Sequence, residues 1–566
     1  MEELKHECGV AMIRLRKPVA YYEQKYGTSG YAINKLYLLM QKQYNRGQEG
    51  AGAAVVTLDS KPGEEFLFRE RMEGKNAIHD VFSAIGKQQQ KAKGRDERIL
   101  PFSGECYMGH LRYSTTGRSG VTYVHPHLRR SNYRHRTLAF CGNFNLTNIE
   151  TLLSTLEEQG QHPRRTSDTT VVLEQLGYWL DETNGDTRAV LKECVPTWDG
   201  GFVLCGMTGS GEMFAVRDPW GIRTGFWYAD DEIVVVASER PAIQTIMNVD
   251  KENIHELLPG EALFINSAGE TSLEIMHKVD TEPTPCSFER IYFSRGNDCD
   301  IYQERKQLGR ALIPQILKSI DGDLDNTVFS FIPNTAEVAY MGMIEGLNDR
   351  LDEEKIEALS TLDTKDADTL RSIVSRKIRT EKIAIKDIKL RTFISESGSR
   401  GELANHVYDI TYGTIRPGVD NLVIIDDSIV RGTTLQKSIL TILSRLHPRK
   451  MVIVSSAPQI RFPDFYGIDM SEMKELIAYR AAHSLCEEAG IQAKTVQDLY
   501  TSFSDEEISQ RIVDIVKPKD VTCPIEIIFQ KRETLRAICC DHIGDWYFSG
   551  NFPTPGGREL LSKKDF

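Results

Sequence analysis

Nowhere in the 566 residues is there a run of about 18 or more apolar residues, the length that a membrane-spanning helix needs. The amino end, MEELKHECGVAMIRLRK, lacks a secretory pattern: its acids come first, and Arg14 and Arg16 break its short apolar run. There is no CxxC pair. The 11 cysteines (Cys8, Cys106, Cys141, Cys194, Cys205, Cys286, Cys299, Cys486, Cys523, Cys539 and Cys540) are odd in number and scattered. That fits a reducing cytoplasm better than a disulfide framework, and it lends no support to a zinc site. A basic excess is lacking as well. The formal net charge of −12 argues against a mainly electrostatic nucleic-acid binder. Internal repeats and low-complexity runs are absent. What remains is a cytoplasmic chain, 40% hydrophobic and 27% charged, able to bury real cores in several domains.

Residues 8 to about 275 read as strand-rich. The segment 31–43 has apolar residues at helical spacing, whereas 104–115, 137–142, 200–207, 212–218 and 232–239 read as strands, with a hairpin turn at 208–212. Stacked antiparallel sheets flanked by helices are expected there. After a boundary near 276–288, where EPTPC supplies two prolines, the character changes. NTVFSFIP (326–333), NLVIID (421–426) and MVIVSS (451–456) are short, nearly continuous apolar runs, as suits strands buried on both faces of a parallel sheet. Between the last two, Leu435, Ile439, Ile442, Leu443 and Leu446 recur at helical spacing, and Pro448 acts as a stop. The charged stretches 59–100 and 346–390 read as surface insertions, solvated helix or loop.

The strongest chemistry lies at 423–434, VIIDDSIVRGTT. A buried strand delivers Asp426 and Asp427 to its carboxyl end, and the chain then turns through Gly432 into a helix. Backbone N–H groups at such a turn cradle a phosphate. Ser428, Thr433 and Thr434 add hydroxyl donors, and the two carboxylates can accept from a diol or help hold Mg²⁺. The stretch resembles the phosphoribosyl pyrophosphate (PRPP) motif of type I phosphoribosyltransferases. The resemblance assigns Asp426 and Asp427 to the ribose hydroxyls and the metal environment. It assigns Ser428 to Thr434, Arg431 and Gly432 included, to the surroundings of the 5′-phosphate.

Cys8 opens the strand-like CGVAMIRL. NRGQEGAG (45–52), GHLRYSTTG (109–117), CGNFNLTN (141–148) and TSDTT (166–170) follow it in order. Together they resemble the class II, or N-terminal-nucleophile, glutamine amidotransferases. In that family a cysteine thiol opens the glutamine amide, with its own α-amino group as base. The resemblance makes Cys8 the nucleophile, and Asn143 with the backbone N–H of Phe144 the oxyanion donors. Arg112 becomes the partner of the glutamine carboxylate and Asp168 that of its ammonium. It also implies removal of residues 1–7 as a propeptide, by cleavage after Glu7. One departure is Asn143-Phe144, where the family usually has Asn-Gly; a Cβ there restricts the backbone.

A glutaminase followed by a PRPP site is the pairing found in the glutamine PRPP amidotransferases, and the chain resembles that family through both halves. The implied architecture is an α+β N-terminal-nucleophile domain, an αββα sandwich, over 8–280. An α/β parallel-sheet type I phosphoribosyltransferase domain follows over 281–566. The implied reaction passes ammonia from glutamine to C1 of PRPP, with Mg²⁺ as cofactor. The implied partners are glutamine, PRPP, other copies in a homo-oligomer and purine nucleotides as inhibitors, but neither nucleic acid nor membrane. Two departures keep open a non-catalytic PRPP- or nucleotide-sensing homologue. After Pro333 the chain reads Asn334-Thr335-Ala336, without the usual acid and hydroxyl, and HVYDITYGTI (406–415) lacks a lysine. Arg391 and Arg400 are the candidate pyrophosphate ligands. Many relatives carry a [4Fe–4S] cluster, which needs four cysteine ligands. Here the corresponding places read Cys286, Asp464, Gly544 and Tyr547, so no cluster is expected.

Overall fold

A computed structural model describes residues 8–95, 99–113, 120–362, 366–386, 408–468 and 470–563. Among the described residues of the first half, thirteen strands form two antiparallel sheets. One contains β1 (Gly9–Leu15), β2 (Gly50–Val56), β3 (Leu67–Glu73), β4 (Cys106–Arg112), β9 (Phe226–Ala229), β10 (Ile233–Ala237) and β11 (His255–Glu256), ordered β11-β9-β10-β1-β4-β2-β3. The other contains β5 (His127–Arg129), β6 (Leu138–Leu146), β7 (Gly200–Thr208), β8 (Met213–Arg217), β12 (Glu261–Ile265) and β13 (Thr271–Ile275), ordered β13-β12-β8-β7-β6-β5.

Strand alternation separates the two faces of each sheet. Val10 and Met12 of β1 pack with Cys141, Cys205 and Met207 of the facing sheet. Ala11, Ile13 and Leu15 point the other way, to Leu36 and Leu39 of the helix Tyr31–Lys42. On the far side, Phe202 and Leu204 meet Leu152, Val172 and Leu191 from the helices Ile149–Glu158, Asp168–Glu182 and Thr187–Cys194. The result is the expected αββα layering.

In the second half, five parallel strands are ordered β15-β14-β18-β19-β20: β14 (Thr327–Phe331), β15 (Arg379–Thr380), β18 (Asn421–Asp426), β19 (Lys450–Ser455) and β20 (Ile525–Phe529). β16 (Ala384–Lys386) and β17 (Tyr408–Ile410) form a small antiparallel pair beside them. Along β18, Leu422 and Ile424 enter one core and Val423 and Ile425 the other, which explains the unbroken apolar run. The helix after the acid pair opens with a widened turn, Leu435–Ile439, and continues over Leu440–Ser444.

The two charged stretches are not mere insertions. β3 is an edge strand of the first sheet, and the helix Ala77–Lys93 buries Ile78, Val81 and Ile85 against it. Its surface glutamines and lysines mask this amphipathic face in the composition. Likewise Leu347 and Leu351, in the helix Glu337–Ser360, belong to the second core, and Arg379–Thr380 extends its sheet. The segment 352–362 lies outside that core.

Candidate functional site

Cys8 sits immediately before β1, the strand that neighbours β4, where Gly9 is opposite Leu111. This register sets Cys8 beside Arg112 and Tyr113. The Tyr113 N–H donates to Cys8 Sγ at 3.4 Å, and Sγ lies 3.7 Å from the Tyr113 carbonyl. The facing sheet contributes Asn143 and Phe144 from β6. Asp168 opens the helix Asp168–Glu182, which is capped by Ser167 Oγ accepting from Thr170 N at 3.4 Å. Cys8, Arg112, Asn143, Phe144 and Asp168 therefore line one cleft of about 590 Å³. Its wall also includes His125, Thr169 and Arg223, and Gly467 from the second half.

Burial pushes the Cys8 thiol up to about 11, against the pull of the Tyr113 amide and Arg112. The thiol is thus protonated at neutral pH and needs a base. Burial also holds His110 and His127 down to about 3 and His125 well below its ordinary range, so none of them is that base. Arg112 is buried, with its guanidinium 5.7 Å from the Tyr123 ring centre. A cation and a carboxylate in one cleft are what the two ends of an amino acid require. Phe144 is not among the residues with positive φ, so the Asn143-Phe144 departure is absorbed by ordinary strand backbone. Gly142 turns its N–H and C=O away from β7, to His125 and His110. Strand alternation turns the N–H of Phe144 toward that same edge.

A second cavity, of about 820 Å³, lies at the carboxyl ends of β14 and β18. Asp426, Asp427, Ser428, Arg431, Gly432, Thr433 and Thr434 all line it, together with Asn334 and Thr335. The Asp427 N–H donates to Asp426 Oδ1 at 2.9 Å, and Ser428 Oγ donates to Asp427 Oδ1 at 2.9 Å. Burial raises both acids, and repulsion from Asp427 raises Asp426 further. Asp427 reaches about 6, with Ser428, Arg305 and Lys386 pulling against burial. Gly432 has φ +72°, and a Cβ there would meet Val516 Cγ1 at 3.0 Å. The left-handed turn and the close packing both call for glycine. Arg431 lines the cavity while its Nε donates to Glu475 at 2.8 Å. Paired carboxylates at one cavity wall are hard-oxygen donors of the kind that fit Mg²⁺.

Further residues join the two cavities without a motif role of their own. Lys386, on β16, lines the second cavity and supplies a cation in a half where 406–415 has none. Its signal was its place in IAIKDIK, just ahead of RTFISES. His125 and Thr169 were assigned no part, although Thr169 stands within the TSDTT motif. Arg223 is buried and donates to the Tyr466 carbonyl from across the two halves. Residues 1–7, the end of GHLRYSTTG at 114–117, and RTFISESGSR with Arg391 and Arg400 lie outside the described residues.

The four places considered for an iron–sulfur cluster do come together. Cys286 bridges to Gly544, its Sγ is 3.2 Å from Tyr547 Oη, and Asp464 Oδ1 accepts from Trp546 Nε1 at 3.0 Å. One thiol stands where four thiolates are needed, and the indole and phenol fill the space. These residues do not fit a cluster.

A family model described as a glutamine amidotransferase domain matches residues 129–245. Amidophosphoribosyltransferase of Pasteurella multocida is 28% identical over 511 residues, covering 87% of each chain. The enzyme of that name from Bacillus subtilis is 29% identical over 456 residues, 79% of this chain and 81% of that one. The solved glutamine PRPP amidotransferase of B. subtilis, complexed with ADP and GMP, matches with a TM-score of 0.67 at 26% identity over 97% of both chains. The chain is a homologue of the amidophosphoribosyltransferases. Among the described residues, no helix is long and apolar enough to cross a membrane.

Proposed function

We propose that this chain is a glutamine-dependent amidophosphoribosyltransferase. Its product is 5-phosphoribosylamine, formed with glutamate and pyrophosphate, the opening step of purine synthesis. The observation that carries the reading is that one chain, alike over most of its length to such enzymes, holds two cavities of the two required chemistries. The glutaminase domain runs over 8–280 and the transferase domain over 281–566.

Cys8 Sγ attacks the glutamine amide carbon. Asn143 and the Phe144 N–H stabilise the oxyanion, while Arg112 and Asp168 hold the amino-acid end. A thiol near 11, in a cleft whose one lining imidazole, His125, is held well below its ordinary range, takes its base from elsewhere. An α-amino group, ordinarily about 7.7–8.0, suits that work at neutral pH. This is the physical case for cleavage after Glu7. In the second cavity, Asp426 and Asp427 hold the ribose diol, and the turn from Ser428 to Thr434 holds the 5′-phosphate. Asn334, Thr335 and Lys386 border the place left for pyrophosphate. Asp426 and Asp427 would hold Mg²⁺, which when bound would supply charge to offset that of the departing pyrophosphate. Purine nucleotides are the proposed inhibitors, and the solved relative holds ADP and GMP.

Cys8→Ala is expected to lose glutamine-dependent turnover by a factor on the order of 10³ or more, while ammonia-dependent turnover is retained. Loss of both would refute separate sites. Intact mass of the active protein should lack residues 1–7.

A further inference from the structure

Gly142, the residue before Asn143, has both backbone polar groups held by imidazoles. Its N–H donates to His125 Nδ1 at 3.2 Å, and its carbonyl lies 3.0 Å from His110 Nε2. Both rings are buried, at 6% and 0% exposure, and they stack with centroids 4.3 Å apart. The bonding fixes where the protons are. A backbone N–H can only donate, so His125 Nδ1 is bare and the single proton of the neutral ring is on Nε2. That Nε2–H faces Thr169 Oγ1 at 3.3 Å, and the Thr169 hydroxyl in turn donates to Asp168 Oδ1 at 3.2 Å. A carbonyl can only accept, so His110 carries its proton on Nε2. Its buried Nδ1 accordingly has no partner in the structure. The result is a line of hydrogen bonds with one direction, from the Gly142 N–H through His125 and Thr169 to the Asp168 carboxylate.

We propose that His125, backed by His110, is a positioning residue of the hydrolytic site. Its bond to the Gly142 N–H, with the His110 bond to the Gly142 carbonyl, pins the two peptide planes that lead into Asn143 and Phe144, and through Thr169 it orients Asp168. This inference rests on the reading of the Cys8 cavity as a glutaminase site. His125 hydrogen-bonds to Gly142 and Thr169, not to Cys8, and moves no proton in the reaction. It ties the group that meets the developing oxyanion to the group that meets the substrate ammonium. The surroundings are built to keep this imidazole in place. A Cβ on Gly52 of β2 would come within 2.1 Å of the His125 carbonyl, so only glycine lets that strand close on it. The His127 ring packs edge-on against His125 at 4.9 Å. Protonating His125 would set an N–H against the Gly142 N–H, and the depressed basicity of the ring agrees with the assigned bonding.

Two substitutions divide the two bonds. His125→Asn offers an acceptor near the Nδ1 position and keeps the bond from Gly142 while losing Thr169. Its KM for glutamine is expected to rise about tenfold with kcat changed by less than about threefold. His125→Gln reaches toward Thr169 and loses the Gly142 bond. Its kcat is expected to fall about tenfold with KM nearly unchanged. A merely structural imidazole would show both parameters moving together with lost thermal stability, and that outcome, or no change in either, overturns the proposal. Histidine-labelled full-length protein observed by ¹⁵N NMR should show His125 as the neutral Nε2–H tautomer at pH 7. Wild-type glutamine turnover with an Nδ1–H tautomer would overturn the positioning line alone. Absence of glutamine turnover in the wild type would instead overturn the reading of the cavity, and the inference with it.

Discussion

The acid pair at the end of β18 should be a source of instability when no ligand is bound. Asp426 and Asp427 are adjacent, lie mostly out of water and are both raised, Asp427 to about 6 from an ordinary 3.8. A carboxyl that binds protons more tightly in the folded chain than in the unfolded one favours folding below its unfolded value. That contribution is lost as pH climbs through the folded value, here between about 4 and 6. Two pKa units are worth at most about 3 kcal/mol, and solvent screening at these partly exposed side chains brings this to about 1–2 kcal/mol. Asp427→Asn removes the charge and keeps an oxygen for Ser428 Oγ. At pH 7.5 the ligand-free variant should unfold about 2–6 °C higher than the parent, and the gap should close toward pH 4. The same variant should lose PRPP use with either glutamine or ammonia. A variant less stable than the parent at pH 7.5, or a gain that persists unchanged at pH 4, would refute the claim that the Asp427 charge is held against the cost of its burial for function.

Two further outcomes follow from buried geometry. Arg46→Met strands Glu239 and Glu289, which are held at 2.8 and 2.7 Å in a fully buried site, and should lower stability by about 3–5 kcal/mol in urea unfolding. An unchanged midpoint would mean that the acids find other partners. Gly432→Ala forces a Cβ into a left-handed turn, costing about 1–2 kcal/mol, and should raise the KM for PRPP in a pyrophosphate-release assay while leaving glutamine KM alone.

Local pattern made some of this readable and concealed the rest. The β18–helix unit could be read because a strand buried on both faces is apolar throughout, and Leu435 to Leu446 keep helical period. Cys8, Arg112, Asn143 and Asp168 could be collected because motif order carries information that spacing along the chain does not. The helix Ala77–Lys93 was hidden because its buried face is narrow and its exposed residues dominate composition. His125 was hidden for a different reason. Its partners, Gly142 and Thr169, are distant in sequence and meet only when β6 and the helix Asp168–Glu182 pack beside it. Lys386 likewise reaches the acid pair only through the pairing of β16 with β17.

The same packing logic bears on how two chemistries share one chain. The segment after β19 is fastened at its start to the acid pair. The Ser456 N–H donates to the Asp426 carbonyl and the Ala457 N–H to the Asp427 carbonyl, each at 3.0 Å. The segment is fastened again at Tyr466, whose carbonyl accepts from Arg223 and whose N–H donates to Asp464 at 2.9 Å. One residue later Gly467 lines the Cys8 cavity. Asp464, in turn, belongs to the aromatic and thiol cluster with Trp546, Cys286 and Tyr547. That cluster is therefore more than a filled gap where a metal cluster would not fit. It braces the far end of a stretch that is bonded at its start to the backbone of the acid pair and that lines the Cys8 cavity at Gly467. The fastenings at the acid pair are backbone to backbone, whereas those at Tyr466 use the Arg223 guanidinium and the Asp464 carboxylate, two side chains held in place by burial.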